Sequence, residues 1–108
     1  MALKISPRSS LDDMVVGEEV VYSLDVTDEL GTDTVSTVTY KVYDSEGTDS
    51  TTNYGGGSSV TAGVITFGVI AYAAGVFTLK FIVTCNEFLP NGTTPKEFYV
   101  NMSVNIRV

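Results

Sequence analysis

The chain has 108 residues, with 13 acidic against 6 basic side chains, no His, no Trp and a single Cys, for a formal net charge of -7. That length suits one domain. The missing His removes Ser-His-Asp and Cys-His nucleophile arrangements and the commonest zinc ligand, and one Cys makes neither an internal disulfide nor a Cys-rich metal site.

The six cations Lys4, Arg8, Lys41, Lys80, Lys96 and Arg107 stand singly along the sequence. Nucleic-acid binding needs clustered cations that displace counterions from phosphates, so no nucleic-acid partner is expected. No run reaches the ~18 apolar residues of a membrane span, and Met1-Ala2-Leu3-Lys4 leads into a polar stretch, not the apolar core of an export signal. A soluble protein with no membrane partner is the expectation. With 44% hydrophobic residues, the chain can fill one core without metal or disulfide staples.

Hydrophobicity repeats with period two almost throughout, the signature of half-buried strands. A short strand opens at Leu3–Ile5. Glu18–Val26 follows, with Val20, Tyr22, Leu24 and Val26 in phase, then Val35–Tyr43 with Val38, Tyr40 and Val42 in phase. A weak edge strand is expected near Ser50–Asn53 or Ser58–Thr61, where glycines leave the register open. Val64–Ile70 is rich in β-branched and aromatic residues. Val76–Cys85 places Phe77, Leu79, Phe81, Val83 and Cys85 on one face, and Phe98–Val108 alternates Phe98, Val100, Met102, Val104, Ile106 and Val108 with more polar neighbours. Turn formers separate the strands: Ser6-Pro7, residues 28–33 around Gly31, Asp44 to Gly47, Tyr54 to Ser59, Ala62-Gly63 and Pro90-Asn91-Gly92. No helix-period stretch of useful length competes.

About seven such strands in roughly 100 residues predict an all-β, immunoglobulin-like two-sheet antiparallel sandwich, a single domain over 1–108, with no disulfide. The predicted inter-sheet core is Val20, Leu24, Tyr40, Val42, Phe67, Phe77, Leu79, Phe81, Val83, Val100, Met102 and Val104. The Trp and Cys pair of antibody domains are missing, and Phe77 stands where many such domains carry a Tyr whose hydroxyl ties down a corner. Tyr72 is a candidate substitute.

The segments Asp13-Met-Val-Val-Gly-Glu18, Tyr22-Ser-Leu-Asp-Val-Thr-Asp28, Val35-Ser-Thr-Val-Thr-Tyr-Lys-Val-Tyr-Asp-Ser-Glu-Gly47 and Ala74-Gly-Val-Phe-Thr-Leu79, with the long closing strand, resemble small Ig-like proteins encoded in tailed-bacteriophage structural gene clusters. Some of those are described as fiber-tail adaptor or head- and tail-associated accessory proteins. The likeness is one of strand phasing and turn residues, shared in part with bacterial surface Ig-like modules. It implies a non-enzymatic virion component, made in the host bacterial cytoplasm, that docks to other virion proteins or to its own copies and takes no cofactor. The connection Phe88-Leu89-Pro90-Asn91-Gly92 departs from the pattern by being longer and more apolar, and no adaptor contact residue carries over position by position. The second reading is a bacterial surface adhesion or carbohydrate-binding module, for which Tyr43, Tyr54 and Tyr99 would have to form an aromatic strip.

Site candidates follow from the same residues. Phe88 and Leu89, in a connection, either fold over the open end of the core or meet a partner. Tyr43 and Tyr99 fall on outward phases that could flank an interface, and the long closing strand could pair with another chain at a sheet edge. Residues 1–50 hold 11 acids and 3 bases, whereas residues 51–108 hold 2 and 3. The topology is expected to gather Asp12, Asp13, Glu18, Glu19, Asp44, Glu46 and Asp49 at one pole, where carboxylates either stay solvated or supply ligands to Ca²⁺, although no EF-hand spacing is present. Gly55-Gly56-Gly57 lacks the Lys-Ser/Thr and helix of a phosphate loop and reads as a flexible loop. Asn91-Gly-Thr93 and Asn101-Met-Ser103 fit the glycosylation sequon by chance, and Cys85 has the parity of a buried, inert thiol. No catalytic or metal-binding set is expected.

Overall fold

A computed structural model of the chain describes residues 3–5 and 11–108. Its strands are β1 (Leu3–Ile5), β2 (Met14–Val15), β3 (Glu19–Asp25), β4 (Val35–Tyr43), β5 (Gly55–Thr61), β6 (Val64–Ile70), β7 (Gly75–Phe88) and β8 (Pro95–Arg107), with four-residue helices α1 (Thr27–Leu30) and α2 (Thr51–Tyr54). They form two sheets, in the orders β1-β3-β6-β5 and β2-β8-β7-β4. This is the expected immunoglobulin-like sandwich: seven strands of three residues or more, plus the two-residue β2. The expected turn at Ser6-Pro7 lies outside the described residues.

Alternation dictates the packing. Tyr22, Leu24, Ile65, Phe67 and Val69 from the first sheet face Tyr40, Val42, Phe77, Leu79, Phe81, Val83, Val100, Met102 and Val104 from the second, all buried. Of the twelve predicted core residues only Val20 differs, being partly buried and packed against the core edge. Leu11, Met14 and Ile106 extend the core. At its centre Phe81 stacks on Tyr40 (ring centroids 4.9 Å apart, planes within 8°) and meets Phe67 edge-on at 4.7 Å.

Three features correct the sequence expectation. The sandwich is not wholly antiparallel, since β1 runs parallel to β3 and β2 parallel to β8. The opening segment thus lends one short edge to each sheet. Of the two places expected for a weak edge strand, 58–61 falls within β5, whereas 51–54 is a helical turn, with Thr51 Oγ1 accepting the Val42 N–H at 2.9 Å. Gly55-Gly56-Gly57 is not a free loop but the start of β5, where a bulge sets Gly56 over Gly68 of β6. A Cβ on Gly56 would stand 3.0 Å from the Gly68 Cα, so the approach of the two backbones requires glycine at both positions.

The β5–β6 hairpin closes through Ala62 (φ 51) and Gly63 (φ 78), a two-residue turn with both residues left-handed. Ala62 is exposed and lacks the local hydrogen bonding that lets Asn tolerate this region. Ala62→Asn should therefore raise stability by about 0.5–1 kcal/mol, measurable as a higher urea midpoint with an unchanged slope.

Candidate docking surface

Strands β7 and β8 outrun the rest of their sheet. The β4 ladder ends with Val35 opposite Cys85, whereas β7 continues to Phe88, opposite Pro95. The hairpin thus overhangs by about 10 Å at ~3.3 Å per residue. Its base is tied to the loop before β4: the Asn86 N–H donates to the Thr34 carbonyl at 2.9 Å, Asn86 Nδ2 to Thr34 Oγ1 at 2.7 Å, and the Glu87 N–H to Asp33 Oδ1 at 3.1 Å.

The tip is equally constrained. Asn91 Oδ1 accepts the N–H groups of Thr93 and Thr94, each at 3.0 Å, Asn91 Nδ2 donates to Thr94 Oγ1 at 2.8 Å, and the Leu89 N–H donates to the Thr94 carbonyl at 2.8 Å. Lys96 pairs with Glu87 at 3.1 Å, leaving the hairpin close to neutral.

Within this rigid frame Phe88 is 53% and Leu89 43% exposed. Neither belongs to the buried core cluster, and the bonds between residues 33–34 and 86–87 fix the base of the hairpin that carries them. An open depression of about 440 Å³ runs beside them, lined by Leu89, Thr94, Pro95, Glu97, Phe98 and Tyr99.

Tyr99 is 58% exposed on the outer face of β8, with the Lys80 ammonium 5.3 Å from its ring centroid. Tyr43 is half-buried on the same face, opposite Thr78, while Tyr99 lies opposite Ile82. Four residues along and two strands across put the two rings roughly 16 Å apart, so they do not form one strip. Tyr54 is buried, with its ring 4.2 Å from that of Phe77, and is withdrawn from any aromatic surface. Tyr72 is exposed and meets Tyr54 edge-on at 5.7 Å.

The hydroxyl that joins the sheets belongs instead to Tyr40, which donates to the Gly68 carbonyl at 2.9 Å. Burial, with the nearby Tyr22 charge second, pushes the Tyr40 phenol far above its ordinary value of 10.0; burial also raises Tyr22. Because the folded chain holds these protons where the unfolded chain releases them, their stabilising effect is complete below about pH 10 and drains away above it. Tyr40→Phe should flatten the alkaline side of a stability–pH curve and cost about 1 kcal/mol at neutral pH, read by urea unfolding at pH 7 and above pH 10.

Cys85 is buried, and its thiol is pushed up by burial first and by the adjacent Asp33 carboxylate second. Buried Asp33 Oδ2 meets no N–H or O–H donor, so the thiol, a weak donor, is the polar group against that carboxylate.

The seven acids expected at one pole do gather there, and a second acidic group lies at the other end. Register sets the β2–β3 turn and the 44–50 connection at the end where β8 finishes, with Asp12, Asp13, Glu18, Glu19, Asp44, Glu46 and Asp49 around them. Asp28, Glu29 and Asp33 follow Asp25 at the opposite end, beside the hairpin tip. Several carboxylates are already engaged: Asp44 Oδ1 accepts the Glu46 and Thr48 N–H groups at 2.9 Å each, and Asp49 Oδ1 takes the Thr51 hydroxyl at 2.6 Å. Those Thr51 bonds hold the Asp49 carboxyl below its ordinary value. Among the described residues no group of three or more His, Cys, Asp or Glu could hold a metal ion, and no helix is long and apolar enough to cross a membrane.

No family model matches the chain, and no curated protein matches it. Among solved structures, the crystal structure of the cysteine protease inhibitor EhICP2 from Entamoeba histolytica is similar at 12% identity with a TM-score of 0.48, covering 98% of this chain and 95% of that one. A likeness this distant carries no argument about function.

Proposed function

We propose that the chain is a non-enzymatic structural or accessory module of a bacteriophage particle, an Ig-like adaptor of the tail or head that acts by docking to neighbouring virion proteins. The observation that carries the docking part is the constrained β7–β8 tip, which holds Phe88 and Leu89 in solvent beside an open depression. The phage part rests on the strand and turn pattern running from Asp13 to Leu79.

Magnitude shapes the reading. Phe88, Leu89 and Tyr99 together present on the order of 300–400 Å². A stable interface takes ~800 Å² per partner. A contact of this size is weak singly and holds when many copies are arrayed on a symmetric particle, where each further contact forms at high effective concentration.

Purified virions and isolated tails and heads of the source phage supply the test. Mass spectrometry should find the chain in the particle, and labelled protein should bind particles lacking it. Absence from purified virions together with no binding to heads or tails overturns the reading. Tyr99, 58% exposed on its sheet face, is the one ring that serves the alternative, a surface adhesion or carbohydrate-binding module, since Tyr43 and Tyr54 do not join it in a strip. Glycan-array binding that is lost on Tyr99→Ala would replace the first reading with that one.

A further inference from the structure

No strand among the described residues pairs with the outer edge of β4 along its middle, where β5 of the other sheet passes close by. At its lower end the edge is occupied, since Val42 donates its N–H to Thr51 Oγ1 and accepts the Ser50 N–H on its carbonyl at 2.7 Å. Both groups of Val42 therefore point away from β7, and the pairing of β4 with β7 is regular from Thr37 to Tyr43. Backbone groups alternate sides along a strand, so those of Tyr40 and Val38 also point outward. The only strand that pairs with β4 among the described residues is β7. Four hydrogen-bonding groups, two N–H and two C=O, thus face outward along this stretch.

On the outer face of the same strand, Lys41 stands directly opposite Lys80 of β7. Like charges in that position oppose sheet formation. Their placement is notable in a chain with only 6 basic residues against 13 acidic ones. Asp49 relieves Lys41 from 3.6 Å, and Lys80 rests over the Tyr99 ring; no carboxylate bridges Lys80 among the described residues.

We propose that the β4 edge between Val38 and Tyr40 accepts an extended acidic segment of a partner protein as an added strand, whose carboxylates seat on Lys41 and Lys80. The backbone groups supply the pairing, and the lysines supply the choice. A residue of the added strand opposite Lys41 lies on the same face. Lys80 is one strand further, about 10 Å away at the usual spacing, a distance that a Glu and a Lys side chain span together. Lys41 and the bulge between Val35 and Thr37 refuse apolar and basic strands, as guarded edges do. A second copy of this chain fits poorly, because two-fold pairing of β4 with itself would set the acid-bearing connections at its two ends, 27–33 and 44–49, against each other.

The inference goes beyond the particle reading and stands or falls separately, because its test uses no particle. Fluorescently labelled peptides Thr-Glu-Val-Glu-Val-Thr and Thr-Lys-Val-Lys-Val-Thr are titrated with the full chain and followed by anisotropy. The Glu peptide should bind at least about tenfold tighter than the Lys peptide, and Lys41→Glu with Lys80→Glu should reverse that order. Val38→Pro removes an outward N–H without taking a bond from the β7 ladder and should abolish binding of the Glu peptide. If Val38→Pro fails to fold by circular dichroism, the charge-reversed chain carries the test alone. Absence of Glu-peptide binding, equal binding by the wild-type and charge-reversed chains, or binding that survives folded Val38→Pro overturns the proposal. So does tight binding of dextran sulfate that survives Val38→Pro, which would make the face an anion site without strand addition.

Discussion

Phe81→Ala is expected to bring the domain to the margin of folding. Phe81 is fully buried, stacked on Tyr40 and edge-on to Phe67, so its removal opens a cavity between the sheets at the point where both contribute rings. Aromatic-to-Ala changes in such places cost about 3–5 kcal/mol, set against a total stability of ~5–15 kcal/mol for a domain. At ~4–8 °C per kcal/mol, the melting temperature should fall by at least ~12 °C. Differential scanning calorimetry measures it directly. A fall of only a few degrees would mean that Phe67 and Tyr40 close over the vacancy and that the centre of the core lies elsewhere. Leu79→Ala, also at a fully buried site in β7, should cost ~2–5 kcal/mol.

The second large effect concerns binding and leaves the fold intact. Phe88 and Leu89 are about half exposed and lie outside the core cluster, so their replacement by Ser leaves the core intact. The melting temperature of Phe88→Ser/Leu89→Ser should stay within ~2 °C of the parent, as for surface changes away from caps and networks. Capture on particles should fall far more. Anchors at the centre of a contact contribute about 1–2 kcal/mol each, a loss of at least tenfold in affinity for one contact, and the loss compounds when several contacts hold one assembly. Cosedimentation with particles across protein concentration measures it. Unchanged cosedimentation would move the docking surface away from the hairpin tip.

The β-sandwich was legible because each long strand buries one face only. Phe77, Leu79, Phe81 and Val83 alternate with Val76, Thr78, Lys80 and Ile82, and a period of two at half-burial has one structural meaning. Where period two failed, so did the reading. Asn86-Glu87-Phe88 breaks phase at the register shift between Thr84 and Phe88, so β7 runs past the point where alternation places its end. Gly55-Gly56-Gly57 carries no side chains to reveal a period, and its place in β5 depends on Gly68, twelve residues away from Gly56. The parallel setting of β1 and β2 is a matter of topology, which local pattern does not encode.

The candidate surface was half legible. Phe88 and Leu89 stand out as apolar residues in a connection, but the base of their hairpin is fixed by bonds linking Asp33 and Thr34 with Glu87 and Asn86, across more than fifty residues of chain. The Tyr40 hydroxyl bond to Gly68 is likewise a long-range pairing. The Lys41–Lys80 opposition appears only once the register of β4 on β7 is known.

The parallel pairing of β2 with β8 also bears on how the body carries load. Besides the two-residue ladder, the Leu11 N–H donates to the Ser103 carbonyl at 3.0 Å and the Val16 N–H to the Arg107 carbonyl at 2.9 Å. Both strands point the same way in a molecule 48 Å long and 20 Å thick. Tension drawing Leu11 and Arg107 apart would load these bonds together, in shear, whereas an antiparallel hairpin pulled at its open end gives way one bond at a time. For a part held under steady pull, lifetime is set by the rate of that first rupture and not by equilibrium stability. A latch two residues long can therefore govern endurance while adding little to the free energy of folding.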